Sequence, residues 1–257
     1  MSKKDVEALS ELAMWEDWQD IVRRSLPNFC ASPIYVQQRS QTQDEFESAA
    51  QYVAELPRKY DLDGKTRDAR FGGLVRTTKA CGDVTRMWID SNVEIDFLQR
   101  SLHPTPLSSQ RILDIGAGYG RLAVAMAPLV KSYACVDPVP ISTGLCKMYT
   151  AQYTPRAKVW ELADFCAAAD LAADLAINIH SWNECSLTQV GRWLEKIKLI
   201  PHLFTVSNGH LSGGRSAYST WGGKGESFRP LLEKQYDLLA EEEVGLSHHP
   251  HALWRLK

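Results

Sequence analysis

The chain has 257 residues, 44% of them hydrophobic, and a formal net charge of -2, with an isoelectric point near 6.4. This is ample for a buried core, and the balanced charge excludes the basic surface needed to hold bulk nucleic acid or an acidic membrane as a main task. The N-terminal stretch lacks a secretory apolar segment, no run approaches the roughly 18 apolar residues of a membrane span, and six cysteines without a C-x-x-C pair exclude a disulfide framework or zinc knuckle, so a cytoplasmic protein acting on a small molecule is expected.

In chain order, residues 4–26 carry apolar positions at three- and four-residue spacing up to Pro27, the pattern of an amphipathic helix. Gln43 to Leu56 reads as a second helix and Asp83 to Leu102 as a third. Between them, 57–81 is charged and glycine-containing and reads as a long loop or lid. From residue 110 short apolar runs alternate with helical segments, the signature of a parallel sheet covered by helices. Strands are expected at 110–115, 132–137, 157–161, 174–179 and 202–207, with helices at 119–129, 141–152, 165–171 and 186–199. A short helix at 226–234 and a closing pair of strands at 236–243 and 250–256 complete a seven-stranded α/β sheet of the Rossmann-like, doubly wound type. The division follows: an N-terminal helical cap over 1–105 and a nucleoside-binding domain over 106–257.

The first strand of this sheet runs into Asp114-Ile-Gly116-Ala117-Gly118-Tyr-Gly120-Arg121. Glycines here permit positive φ and a close backbone approach to a ligand, but nicotinamide enzymes use a G-x-G-x-x-G turn at the same place. Two details discriminate. Arg121 stands where the dinucleotide pattern has its third glycine, and Asp114 would meet the cationic amino acid of S-adenosylmethionine while being badly placed beside a pyrophosphate. Asp137, with Pro138 after it, ends the second strand where a carboxylate accepts from ribose hydroxyls, and Asp164-Phe165 follows the third, where an acid and an aromatic ring suit adenine. Asp164 has a plain reading beside this one, as a helix N-cap.

The fourth strand runs out as His180-Ser181-Trp182-Asn183-Glu184, and ligands of open α/β sheets lie beyond such ends. Methyl transfer to an alcohol needs alignment and removal of a proton, so His180, also close to the cofactor, is the expected base, and Glu184 its orienting partner or an alternative base. Ser181, Trp182 and Asn183, then Asn208 and His210 after the fifth strand, and Tyr218 and Trp221 in the glycine-rich stretch 210–225, are candidate substrate contacts. The plain readings are a backbone-bonded His180, a helix cap at Glu184 and a surface loop at 210–225. His248, His249 and His251 read as a polar turn or adventitious metal binder. A divalent ion stays an option beside His180 and Glu184, though the paired aspartates of metal-dependent sugar methyltransferases are not evident and no metal ligand is assigned; a homodimer stays open.

With the Asp-Ile-Gly-Ala-Gly-Tyr-Gly-Arg-Leu-Ala turn, the Val-Asp-Pro strand end, the helix from Lys147 to Tyr153 and the Ile-His-Ser-Trp-Asn-Glu segment, the chain resembles bacterial sugar O-methyltransferases over roughly residues 80–257. That family has a G-G-G-Y-G-x-L-A turn and an S-[FW]-x-E segment in the same order. The resemblance implies cofactor roles for Asp114, Gly116, Gly118 and Asp137 and active-site positions for His180, Ser181 and Glu184. The chain departs from it at Ala117 and in Pro138 and Pro140. Two alternatives stay open at this point: methylation of an amine or peptide, and a non-catalytic or NAD-binding module of the same fold.

Overall fold

The computed structural model describes Asp20 and residues 23–26, 28–31, 42–208, 218–220, 226–244 and 249–257. Of the helix expected over 4–26 only Asp20 and 23–26 are described, helical at 20 and 23–25. His210, Trp221, His248 and most of the expected 210–225 loop lie outside the described residues.

Helix α1 (Gln43–Glu55) opens on a capping box in which Thr42 Oγ1 accepts from the Glu45 amide and the Glu45 carboxylate accepts from the Thr42 amide. The loop expected over 57–81 is instead two short 3-10 turns followed by a hairpin, β1 (Val75–Thr78) and β2 (Gly82–Thr85), and α2 therefore starts at Arg86 rather than Asp83. Thr85 caps α2 (Arg86–Ser101) by accepting from the Trp88 amide, which holds the preceding residues extended. The segment before the hairpin is tied to α2 by Asn92: its Oδ1 accepts from the Tyr60 amide at 2.6 Å and its Nδ2 donates to the Tyr60 and Trp88 carbonyls. Asn92 is fully buried. Asn92→Ala is expected to cost about 2 to 3 kcal/mol in urea unfolding, because the Tyr60 amide is left without a partner and a small cavity opens; an unchanged midpoint would contradict the bracing role.

The sheet contains β3 (Arg111–Ile115), β4 (Ser132–Val136), β5 (Lys158–Trp160), β6 (Leu175–Ile179), β7 (His202–Val206), β8 (Tyr236–Val244) and β9 (His249–Leu256), in the order β5-β4-β3-β6-β7-β9-β8. The first five strands are parallel, and β9 runs antiparallel between β7 and β8. Helices α3 (Arg121–Met126), α4 (Pro140–Tyr153), α5 (Leu162–Ala167), α6 (Leu187–Lys196) and α7 (Arg229–Gln235) make the connections. Alternate strand residues feed two cores. Leu113, Ile115, Ala176, Leu203 and Trp254 pack with Phe165, Trp193 and Leu232; Ile112, Tyr133, Leu175, Ile177, Phe204 and Leu253 pack with Phe97, Leu122 and Met126. The seven-stranded α/β sheet is as the sequence reading expects. None of the described helices is long and apolar enough to cross a membrane.

The chain moves outward from β3 to β4 and β5, then returns to place β6 on the other side of β3. The crevice beyond the carboxyl ends of β3 and β6 is thus the switch point at which such sheets hold ligands. Helix α2 lies within the stretch expected as a cap, yet it touches α3, β8 and β9 as well as α1, and its Ser91 and Glu94 bond Arg121 at the start of α3.

Candidate active site

The turn after β3 keeps three glycines in the left-handed region: φ is 73° at Gly116, 57° at Gly118 and 87° at Gly120. At Gly116 the requirement is doubled. A Cβ there would stand 2.2 Å from Ser181 Oγ. Ser181 is fixed in its turn, since Asn178 Nδ2 donates to Ser181 Oγ at 2.5 Å and to the Ile115 carbonyl at 3.0 Å. The loops after β3 and β6 are therefore clasped across the switch point.

A cavity of about 150 Å³ opens there, and Asp114, Gly116, Ala117, Gly118, Arg121, Asp137, Pro138, His180, Ser181 and Glu184 all line it. Gly120 does not; it lets the turn pass α4, where a Cβ would come 2.9 Å from Thr150 Cγ2. Asp137 is buried, with Oδ2 accepting from the Gly118 amide at 2.9 Å and Oδ1 from the Val139 amide at 2.8 Å. Burial raises it to about 7, against the pull of those two amides. Asp114 accepts from Tyr133 Oη at 2.8 Å and is raised by burial to about 6, with the Tyr133 hydroxyl and Arg121 opposing. Two costly buried carboxylates beside an open glycine turn suit a ligand that brings hydrogen-bond donors or positive charge.

Other expected contacts fall elsewhere. Phe165 is fully buried in the core, its ring 5.6 Å from that of Trp193. Asp164 is exposed in the first turn of α5, which begins at Leu162 rather than 165. Residues Ser181–Glu184 form a 3-10 turn, in which positions three apart share a face; Ser181 and Glu184 reach the cavity while Trp182 and Asn183 turn inward. Trp182 packs edge-on to Phe228. Asn183 Nδ2 donates to the Ser219 carbonyl at 2.9 Å and its Oδ1 accepts from the Asn208 amide at 3.2 Å, so Asn183 and the buried Asn208 brace the loops. Tyr218 Oη donates to Glu241 at 2.6 Å, with its ring against Phe228 and Trp254.

His180 directly follows β6 at a φ of 61°, a left-handed conformation uncommon outside glycine. Its amide donates to the Val206 carbonyl at 2.8 Å, and its Nδ1 is buried with no hydrogen-bond partner among the described residues. Burial lowers its pKa well below the ordinary histidine value, helped by His249, Arg86, Arg121 and His251. The imidazole is thus neutral at physiological pH.

Sequence reasoning missed two contributions. Because β9 is antiparallel, its first residue arrives at the edge where the parallel strands end, and the His249 ring lies edge-on to His180 at 4.6 Å. His251, on the same face, is buried between Phe97 and Phe204 and lowered by burial to about 4, with Nδ1 2.8 Å from the His249 carbonyl. The second contribution is α2. Arg86 Nε donates to Asp90 at 3.0 Å, and Arg121 is gripped by Ser91 and Glu94. The four-residue spacing of Arg86, Asp90 and Glu94 was the available signal. No group of three or more metal-ligating side chains able to hold an ion occurs among the described residues.

No family model matches the sequence, and no curated protein matches it. Among solved structures, the chain is similar to an O-methyltransferase family 2 protein from Planctomyces limnophilus in complex with apigenin (TM-score 0.50, 16% identity, 67% of this chain and 58% of that one). It is also similar to the N-methyltransferase NodS from Bradyrhizobium japonicum in complex with S-adenosylhomocysteine (TM-score 0.49, 15% identity, 83% and 99%), and to magnesium protoporphyrin IX methyltransferase from Synechocystis with bound S-adenosylmethionine (0.49, 8%, 84% and 95%). At these identities the likeness is one of fold alone: the chain shares a Rossmann-like architecture with the Planctomyces limnophilus protein, and its own sheet has β9 antiparallel between β7 and β8.

Proposed function

We propose that this chain is a cytoplasmic S-adenosylmethionine-dependent methyltransferase acting on an oxygen of a polar small molecule, a sugar hydroxyl being the acceptor that the sequence resemblance favours. The observation that carries the reading is Asp137, buried at the cavity with both oxygens set by backbone amides and remaining lone pairs available to two adjacent ribose hydroxyls. The Gly116 cradle and the buried Asp114 fit the same nucleoside, and Asp114 disfavours the pyrophosphate of a dinucleotide. When bound, the cofactor supplies a methyl group on a sulfonium, open to in-line displacement. The chain's own work is alignment: His180, neutral and at the cavity, accepts a hydrogen bond from the acceptor hydroxyl and takes its proton, and Glu184, on the same wall, orients the acceptor.

Calorimetry with S-adenosylhomocysteine and with NAD, followed by transfer of labelled methyl from the cofactor to a panel of sugars and amines, tests this reading. Binding of S-adenosylhomocysteine with label in an alkali-stable methyl ether is expected. Binding of NAD alone would overturn it, and label on nitrogen would correct the acceptor atom.

Binding should also be proton-linked. Asp114 and Asp137 rise from 3.8 to about 6 and about 7, so any stability they lend the free protein is full below pH 4 and fades as pH climbs through 6 to 7. Donors from the nucleoside favour the ionised acids, so binding releases protons below pH 7. Affinity for S-adenosylhomocysteine is expected to rise on the order of tenfold per pH unit between pH 5.5 and 7 and then level off. Titrations in buffers of different ionisation heat measure this directly; pH-independent affinity would count against the two acids as contacts.

A further inference from the structure

A histidine that takes a proton through one ring nitrogen is ordinarily aimed by a hydrogen bond at the other. His180 lacks that bond: its Nδ1 is sealed from solvent and has no hydrogen-bond partner among the described residues. An acceptor hydroxyl can therefore reach this ring only at Nε2, and only while Nδ1 stays buried. The backbone of His180 is fixed, its amide donating to the Val206 carbonyl at 2.8 Å and its carbonyl accepting from the Asn183 amide at 3.0 Å. The imidazole itself is left to packing. The aromatic ring beside it is that of His249, with centroids 4.6 Å apart and planes at 75°, an edge-to-face arrangement that planar rings favour.

His249 is anchored from β9. Ser207, after β7, donates its amide to the Pro250 carbonyl at 3.2 Å, His249 pairs with Val244 of β8, and its carbonyl lies 2.8 Å from Nδ1 of His251, whose ring packs against Phe97 and Phe204 at 5.8 and 5.9 Å. We propose that His249 is the positioning residue of the His180 base, its ring holding the imidazole with Nδ1 buried and Nε2 left for the acceptor hydroxyl. This rests on the reading of His180 as base and adds the group that aims it. His249 acts through its flat ring and carries no proton, so a phenyl ring can replace it. Arg86 of α2, Arg121 of α3 and His251 of β9 also bear on His180, and with His249 they disfavour its protonated form.

The test uses the full chain with isotopically labelled histidine in proton–nitrogen correlation spectra, the His180 ring signals being assigned by their loss in His180→Asn. In the wild type and in His249→Phe the ring should stay unprotonated well below pH 6.5; in His249→Ala, where water gains entry to Nδ1, its transition should move up toward 6.5. Rates are then measured with S-adenosylmethionine and the sugar that takes label in the panel above. His249→Ala should lower kcat roughly fivefold to tenfold, the upper range for one edge-to-face ring pair, with S-adenosylhomocysteine affinity within about twofold of the wild type, and His249→Phe should keep kcat within about twofold. Circular dichroism checks folding, and His249→Gln, also without an aromatic ring, replaces alanine with the same expectation if alanine loosens the start of β9. An unchanged kcat or an unchanged His180 transition in a folded variant without the ring overturns the proposal. A His249→Phe variant as slow as His249→Ala also overturns it, making the His249 imidazole a proton carrier. Full turnover in His180→Asn defeats the base reading itself, and if no sugar takes label the His180 transition alone decides the role of His249.

Discussion

Gly116→Ala is expected to weaken S-adenosylhomocysteine binding at least about a hundredfold. The left-handed φ of 73° alone costs a residue with a Cβ about 1 to 2 kcal/mol. The new methyl would also lie 2.2 Å from Ser181 Oγ and 2.4 Å from Ser181 Cβ. Ser181 can retreat only by giving up the hydrogen bond from Asn178 that joins the loops after β3 and β6, a further ~1 kcal/mol. A total near 3 kcal/mol corresponds to roughly a hundredfold, concentrated where the nucleoside would sit. Two measurements separate strain from collision. Ser181→Gly in the Gly116→Ala background removes the collision and should restore part of the affinity, while Ser181→Gly alone should have a small effect. If Gly116→Ala binds as the wild type does, the turn is not the cofactor cradle.

The parts of this site that could be read in the sequence are those where one residue type has one physical use. Glycines after an apolar run, an acid two residues before them and another at the next strand end need no tertiary knowledge, and Asp114, Gly116 and Asp137 all line the cavity. What escaped depends on geometry that spacing leaves ambiguous. Trp182 and Asn183 stand in the same run after His180 as Ser181 and Glu184, and only the three-residue repeat of a 3-10 turn sends Ser181 and Glu184 one way and Trp182 and Asn183 the other. Phe165 looked like an adenine cover because α5 was placed three residues late; with the helix starting at Leu162, the ring falls on its inner face against Trp193. The place of His249 beside His180 was hidden for a topological reason, since only an antiparallel strand starts at the edge where its neighbours end. Helix α2 was read as cap because it precedes the sheet in sequence, although nearly all of its first thirteen residues are buried and two of its polar ones, Ser91 and Glu94, hold Arg121.

His180→Ala is expected to lower turnover at least about a hundredfold while leaving S-adenosylhomocysteine affinity within about threefold, because the proposed nucleoside contacts are the turn and Asp137 rather than the imidazole. The position is unusual in needing a left-handed backbone, so His180→Asn, which tolerates that conformation, is the better variant if alanine disturbs the end of β6. Both should lose turnover to a similar degree. The pH dependence sharpens the expectation. A proton acceptor must be unprotonated to act; burial and the basic neighbours His249, Arg86, Arg121 and His251 keep His180 so to well below the ordinary histidine range. Turnover at saturating cofactor should therefore hold steady as pH falls through 6.5, whereas the apparent affinity for cofactor declines from about pH 7 as Asp137 and then Asp114 take up protons. The two limbs belong to different parameters, kcat and the cofactor KM, and are separable in one set of rate measurements. A kcat that falls with a midpoint near 6.5, or full turnover in His180→Asn, would remove His180 from the chemistry and leave alignment by Glu184 and the cavity wall as the source of rate.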